Sequence, residues 1–314
     1  MKEYLGRRIL ALVPVMFVVA TLVFVLMHIT PGDPVSAMLG LDASPEDIAR
    51  MRNRLGLDEP LYIQYVRWLG KLARGDLGES IFLQVPVTGA VLERVEPTAL
   101  LTLLALIMAV GVGIPAGVIS ATRFGSFVDQ CFMGVALLGV SMPDFWFGLN
   151  LILLVAVKLG WLPVAGYVPL SVNWLATVRY LVMPAFCLGF IQSALIARMT
   201  RALMLDVLSQ DYIRTGHAKG LPAKIVVYKH ALKNAFIPTL TVIGITFAIL
   251  MGGAIVIETV FTIPGVGRLL IQSVMRRDYP IIQGIVLLIA GAYVLINLLV
   301  DAAYAYLDPR IKYV

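Results

Sequence analysis

Asp206-Val207-Leu208-Ser209-Gln210-Asp211-Tyr212-Ile213-Arg214-Thr215-Gly216-His217-Ala218-Lys219-Gly220-Leu221-Pro222 lies between two long apolar blocks of a 314-residue chain. Within a few residues it offers a helix start, a stop and a second start. Ser209 or Asp211 can cap a helix N-terminus through its side-chain oxygen. Gly220 suits the left-handed position just past a helix end, and Pro222 cannot continue that helix. Pro222 can open a second helix, which the pattern carries to about Phe236 and ends before Pro238. Residues 200–236 therefore read as a short helix, a sharp turn and another helix, projecting from a membrane. The first helix has two to three turns, about 12–15 Å. A stiff element of that size fits a groove on a partner and transmits a push. The same stretch also suits an ordinary basic loop held at a lipid surface.

The flanking blocks establish the membrane. Hydrophobic residues make up 60% of the chain and charged residues 14%, against about 25% charged in an ordinary soluble domain. Six apolar blocks fall at about 9–29, 98–120, 129–157, 180–199, 237–258 and 281–303. The first follows Lys2, Arg7 and Arg8. It is longer than a signal-peptide core, lacks a small-residue cleavage site and ends at Pro31-Gly32-Asp33-Pro34, so it is expected to stay as a transmembrane helix. The third block contains Pro143, where a kink or break is expected.

Residues 31–97 differ in composition, holding ten of the 19 acidic residues. Ser44-Pro45-Glu46-Asp47 has the form of a capped helix start, with Gly56 as its stop. A second helix is expected from Pro60 to about Leu72, with Leu61, Tyr65, Trp68, Leu69 and Leu72 on one face. That face packs on the protein or lies on the membrane. The domain pattern is a first span with its N-terminal tail (1–30), a folded insertion (31–97) and a five-helix core (98–314).

Short-loop Lys and Arg set the orientation. With the N-terminus inside, the inner segments hold thirteen of them and the short outer loops five. Both termini and the 200–236 loop are then cytoplasmic, and the insertion lies outside. The net charge of +6 sits beside apolar blocks, which suits an anionic membrane face. No basic stripe with interleaved aromatics speaks for nucleic acid. Cys131 and Cys187 lie inside apolar blocks and form neither a disulfide framework nor a zinc site.

Tyr212-Ile213-Arg214-Thr215 with Ala218-Lys219-Gly220-Leu221, followed by His230-Ala231-Leu232-Lys233-Asn234-Ala235 and Pro238, resembles the coupling-loop motif of ABC importer permeases. The Glu-Ala-Ala of the generic motif is replaced by Arg214, Thr215 and Gly216. That departure fits the dipeptide/oligopeptide/nickel permease family. Pro31-Gly32-Asp33-Pro34, Arg54-Leu55-Gly56-Leu57, Gly75-Asp76-Leu77-Gly78, and Glu258-Thr259-Val260-Phe261 with Pro264-Gly265-Val266-Gly267 extend the resemblance over the whole chain, to the first of the two permeases in such systems. The resemblance implies an all-α integral membrane protein like the type I ABC importer permeases, in a bacterial or archaeal plasma membrane. It implies a pathway-forming subunit for di- or oligopeptides, or for nickel, glutathione or oligosaccharide. The implied partners are a second homologous permease, one or two ATP-binding cassette subunits and an extracytoplasmic substrate-binding protein. No resident cofactor is implied. Asp211, Tyr212, Arg214, Gly216, His217, Lys219 and Gly220 are the candidate ATPase contacts, with Gly220 making the turn and Gly216 permitting close approach.

Four residues are candidates for the pathway or its gates. Asp144 follows Pro143 inside the third block, where a carboxylate costs about 2.5–3.5 kcal/mol on insertion scales. It either meets a cationic group of the substrate or caps a half-helix restarting after the break. Glu258 and Phe261 lie near the outer end of the fifth block, at an outer gate; Glu258 equally suits a cap or a pair with Arg268. Arg198, with Arg201, lies at the inner mouth or snorkels to headgroups. Gly111, Gly113 and Gly117 are expected at close helix packing. There is no phosphate-binding loop of the Gly-Lys-Ser/Thr kind, so the energy is expected from another subunit. An intramembrane serine protease, hinted at by Gly139-Val140-Ser141, lacks a histidine placed as base. A stand-alone secondary transporter is expected to show repeated halves, and no clear repeat is present.

Overall fold

The computed structural model describes residues 2–29, 35 and 44–307. The Pro31–Pro34 helix stop and the basic residues Arg310 and Lys312 lie outside the described residues. The described chain is helical. The helices are α1 (Lys2–Ile29), α2 (Pro45–Leu55), α3 (Leu61–Leu72), α4 (Val87–Thr122), α5 (Phe127–Ser141), α6 (Asp144–Lys158), α7 (Trp174–Leu208), α8 (Asp211–Ala218), α9 (Ala223–Val260), α10 (Val266–Arg276) and α11 (Tyr279–Leu307). Five of them, α1, α4, α7, α9 and α11, are long and apolar enough to cross a membrane. The expected break at Pro143 is a bend of 103° between α5 and α6.

One ion pair decides whether the bent pair counts as a crossing. Asp129 sits at the start of α5 and binds Arg201 near the C-terminal end of α7. Those two helix ends therefore lie at the same membrane face. Since α7 crosses once on its way to Arg201, the chain must cross once more between Asp129 and Trp174. The bent pair supplies that crossing, giving six spans.

Proline marks helix ends less faithfully than the sequence suggests. α4 begins at Val87 and passes through Pro97 and Pro115. α9 runs without a stop through Pro238, so the second helix of the hairpin and the fifth span are one rod. A proline in a transmembrane helix removes one backbone donor, which side-chain hydroxyls and local π adjustments offset. The acceptor freed by Pro238 is Asn234 O; one residue on, Thr239 Oγ1 donates to Ala235 O at 2.7 Å, and N-terminal to the proline Val226–Ala231 is wound as a π-helix.

The chain forms two compact units. One comprises residues 6–96 and 265–294. In it Ser44 caps α2 by accepting from Asp47 N at 3.2 Å, and Gly56 ends that helix at φ 71°. The expected apolar face of α3 packs on α1: the Tyr65 and Trp68 rings lie 5.1 and 5.5 Å from that of Phe24. Residues 265–280, expected to be a short outer loop, contain α10. Its buried Val266 and Leu269 pack with Val87, Val91, Ile281 and Ile285. The buried Asp278 carboxylate holds the 80–83 turn, accepting from Ser80 Oγ and from the backbone N–H of Ile81 and Phe82.

The other unit comprises residues 1–5, 97–264 and 295–314. Its centre is Leu101, Ala105, Leu181, Cys187, Leu188, Leu250, Ile257 and Phe261. α4 and α7 meet through missing side chains. A Cβ on Gly113 would lie 2.8 Å from Ser193 O, one on Gly117 2.6 Å from Ala197 O, and one on Gly189 2.8 Å from Ala105 O. Such contacts drive helix association where no water is available to do so. Gly111, expected in the same role, faces open space.

Candidate functional site: the coupling hairpin

The hairpin is built as the sequence suggests in outline and differently in its caps. α8 starts after Gln210, which makes no side-chain cap; Asp211 is its first residue and Ser209 ends α7. An acidic residue there still favours the helix through its dipole. At the other end Gly220 has φ 77°, and its N–H donates to His217 O at 2.9 Å. This left-handed residue reverses the chain into α9. Nothing lies within 4 Å of a Cβ built on Gly220, so conformation alone demands glycine there.

A buried anchor fixes the hairpin. Ile213, 2% exposed, is the one buried residue of α8. It packs with Val118 and Ala121 of α4, Met204 of α7, and Val226, Ala231 and Ala235 of α9. Around it Asp211, Tyr212, Arg214, His217, Lys219 and Gly220 are all exposed. Tyr212 additionally accepts from Asn234 Nδ2 at 2.8 Å, tying α8 to α9. Gly216 has ordinary contacts: an added Cβ would lie 3.7 Å from Leu221 and Val226 side-chain atoms, so within this chain it is not needed for close approach. A force on the exposed face of α8 reaches three spans through Ile213.

Next to this anchor lies a polar clamp that the sequence did not reveal. Arg201 grips Asp129 with two parallel bonds, Nε to Oδ1 at 2.7 Å and Nη2 to Oδ2 at 2.8 Å. Asp129 is buried and also accepts from Ser120 Oγ and from Gly125 N. The Arg201 guanidinium lies 5.1 Å from the Phe124 ring centroid. Arg201 therefore pairs inside the protein rather than snorkelling. The available signal was Ser126-Phe127-Val128-Asp129, a capping pattern at the head of the third apolar block, with Asp129 N donating to Ser126 Oγ. Arg198, one turn earlier on α7, is exposed.

The remaining candidates are not gathered around the hairpin. Glu258 is buried and accepts from Thr98 Oγ1 at 2.5 Å. Phe261, 2% exposed, belongs to the apolar centre, and its carbonyl accepts from Gly166 N at 2.9 Å. Asp144 is not an N-cap: Pro143 holds that position and Asp144 is the first residue of α6. The Ser141 hydroxyl is bonded to Leu137 O within its own helix.

Apolar spans with an anchored, exposed hairpin between two of them are the architecture of a transport permease component, and the comparisons with known proteins give that class. The chain belongs to the family described as the binding-protein-dependent transport system inner membrane component, whose model matches residues 113–313. The N-terminal model of the same description matches residues 1–103. Its relatives include a probable peptide ABC transporter permease of Sinorhizobium fredii, 44% identical over the full length of both chains. The dipeptide transport system permease DppB of Alkalihalophilus pseudofirmus is 43% identical and the glutathione transport system permease GsiC of Escherichia coli 42%, each over the full length of both chains. Among solved structures, the methionine ABC transporter MetNI in an inward-facing form shares the fold. It has a TM-score of 0.58 at 18% identity and covers 70% of this chain and 97% of that one. A permease of this class works with an ATPase and a permease partner.

Proposed function

We propose that this chain is the first permease subunit of an ATP-driven importer of di- or oligopeptides, and that residues 200–236 are its ATPase-docking element. The observation that carries this reading is the rigid hairpin: an exposed short helix, fixed by one buried isoleucine and reversed at a left-handed glycine. The names of its relatives favour peptides over nickel or oligosaccharide, with glutathione, itself a peptide, in the same set.

Asp211, Tyr212, Arg214, His217 and Lys219 form the contact face, and Gly220 the turn. Both termini and the hairpin face the cytoplasm, the folded insertion of residues 31–97 faces outward, and an extracytoplasmic binding protein delivers the cargo. Two permeases pair around a pathway and each docks one ATPase domain. ATP brings those domains together, the docked hairpins follow, and α4, α7 and α9 tilt with them. Hydrolysis resets the pair. The chain itself supplies no step of ATP hydrolysis.

Substitution at Gly220 tests this. A β-branched residue does not accept φ near +77°, whereas Asn does so at small cost. Gly220→Val in the reconstituted transporter should leave ATP hydrolysis running while peptide uptake falls to background. Gly220→Asn should retain both. Full coupling in Gly220→Val would refute the docking assignment.

A further inference from the structure

Asp144 is a carboxylate inside an apolar span, without a counterpart among the described residues. Two rulers place it deep in the apolar layer. Its neighbour Cys187 lies about 20 Å along α7 from Trp174, and its neighbour Gly253 about 10 Å along α9 from Val260. The surroundings are apolar: Cys187, Leu188 and the bare backbone of Gly253, where a Cβ would come 3.4 Å from Asp144 Oδ2 and 3.2 Å from Leu188 Cδ2. Among the described residues no hydrogen-bond donor or cation meets the carboxylate. Cys187 Sγ donates instead to the backbone oxygen of Asp144, at 3.4 Å.

The group is half-buried rather than enclosed, so it looks outward from this chain. Beside it α9 presents an exposed face made of Ile245, Ile249, Gly252, Val256 and Thr259, recurring every three or four residues. An ionisable side chain at this depth faces a bundle interior or a water-filled cavity, not lipid. The 103° bend at Met142–Pro143 explains how it gets there: the restart of α6 sets its first residue against Gly253 of α9, within the apolar length of that helix. An ionised carboxylate is an acceptor only, and a cationic donor gives it the strongest hydrogen bond.

We infer that Asp144 lines the translocation pathway and binds the protonated α-amino group of the passing peptide. This rests on the peptide-importer reading above, and it adds a specificity-determining residue to it. The free α-amino group is largely protonated near neutral pH, so every unblocked peptide carries the matching charge. The Gly253 backbone opposite leaves room for the ammonium to approach.

The experiment uses the complete transporter in proteoliposomes, with Cys131 and Cys187 replaced by serine. Asp144→Asn and Asp144→Cys should lower uptake of a free-amino dipeptide by at least about tenfold, the worth of one charge-assisted bond. ATP hydrolysis and co-purification of the second permease should persist, and Asp144→Glu should keep most of the uptake. Modifying Asp144→Cys with an anionic sulfonate-bearing thiol reagent should restore uptake, and a cationic reagent of similar size should not. Three results overturn the proposal alone while wild-type uptake stands. They are an Asp144→Asn variant that matches wild type, an Asp144→Cys variant whose new thiol is inert to both reagents with and without ATP, or loss of the second permease on purification. A wild-type complex that imports no peptide overturns the functional reading and this proposal together.

Discussion

Arg201 and Asp129 show what a single side chain contributes at the inner face. Removing Arg201, itself part-exposed, leaves the buried Asp129 carboxylate without its doubly bonded partner, at a cost of about 3 kcal/mol, the low end for a buried pair. Arg201→Met should therefore unfold in detergent markedly below wild type, while Arg201→Lys, which cannot form the parallel fork, should fall between them. A thermal unfolding series of the three proteins checks this; equal midpoints would mean the pair is dispensable. The clamp was hard to see in the sequence because its partners are 72 positions apart. A lone arginine at the end of an apolar block carries the same local pattern whether it snorkels or pairs. Gly220 was legible for the opposite reason: its demand is local, a positive φ between two helices. Gly111, Gly113 and Gly117 mark the boundary between these cases. Spacing alone does not say which glycines face a neighbour, and only the last two touch α7.

At the scale of the element, α8 is too short to be stable alone. Isolated helices shorter than about 12–15 residues are marginal in water, and α8 has eight. Its docking through Ile213 supplies what propensity does not. Ile213→Ala removes buried methyl groups from a packed site, costing about 2–5 kcal/mol, and the loss falls on one small element. Trypsin should then cut at Arg214 and Lys219 much faster than in wild type, while the spans stay protected by detergent or lipid. Unchanged cleavage would show that α8 is held by other contacts. The anchor was readable only in part. Ile213 stands out as the apolar residue of a polar octet, but its companions come from α4, α7 and α9. The same limit applied to Pro238 and Pro97. Proline signals a helix end in water, where a freed carbonyl and a bent chain find solvent. In a membrane, neighbouring groups take over those roles, so α9 and α4 run on. The helix α10 was missed because it is short, amphipathic and flanked by glycine and arginine, which resembles a loop.

For the whole molecule, the number of crossings and the position of the hairpin are one question. On the proposed orientation, with the N-terminus cytoplasmic, α1 leads out and α4 leads back to Arg123. If the bent α5–α6 pair crosses, α7 returns inward and the hairpin is cytoplasmic. If the pair merely dips and turns back, α7 leads outward and the hairpin, with every contact assigned to it, lies on the wrong side for an ATPase. The Asp129–Arg201 bridge ties the α4–α5 loop to the end of α7 and so requires the crossing. On the proposed orientation, the excess of short-loop Lys and Arg falls on that same face. In a chain lacking Cys131 and Cys187, single cysteines in place of Arg123, Lys219 and Arg74 separate these outcomes. A membrane-impermeant thiol reagent should label Arg123→Cys and Lys219→Cys only in inside-out vesicles, and Arg74→Cys only in right-side-out ones. Label on Lys219→Cys from the outside would remove the coupling function whatever the motif resembles. Opposite sidedness for positions 123 and 219 would instead mean that the clamp does not form in the membrane.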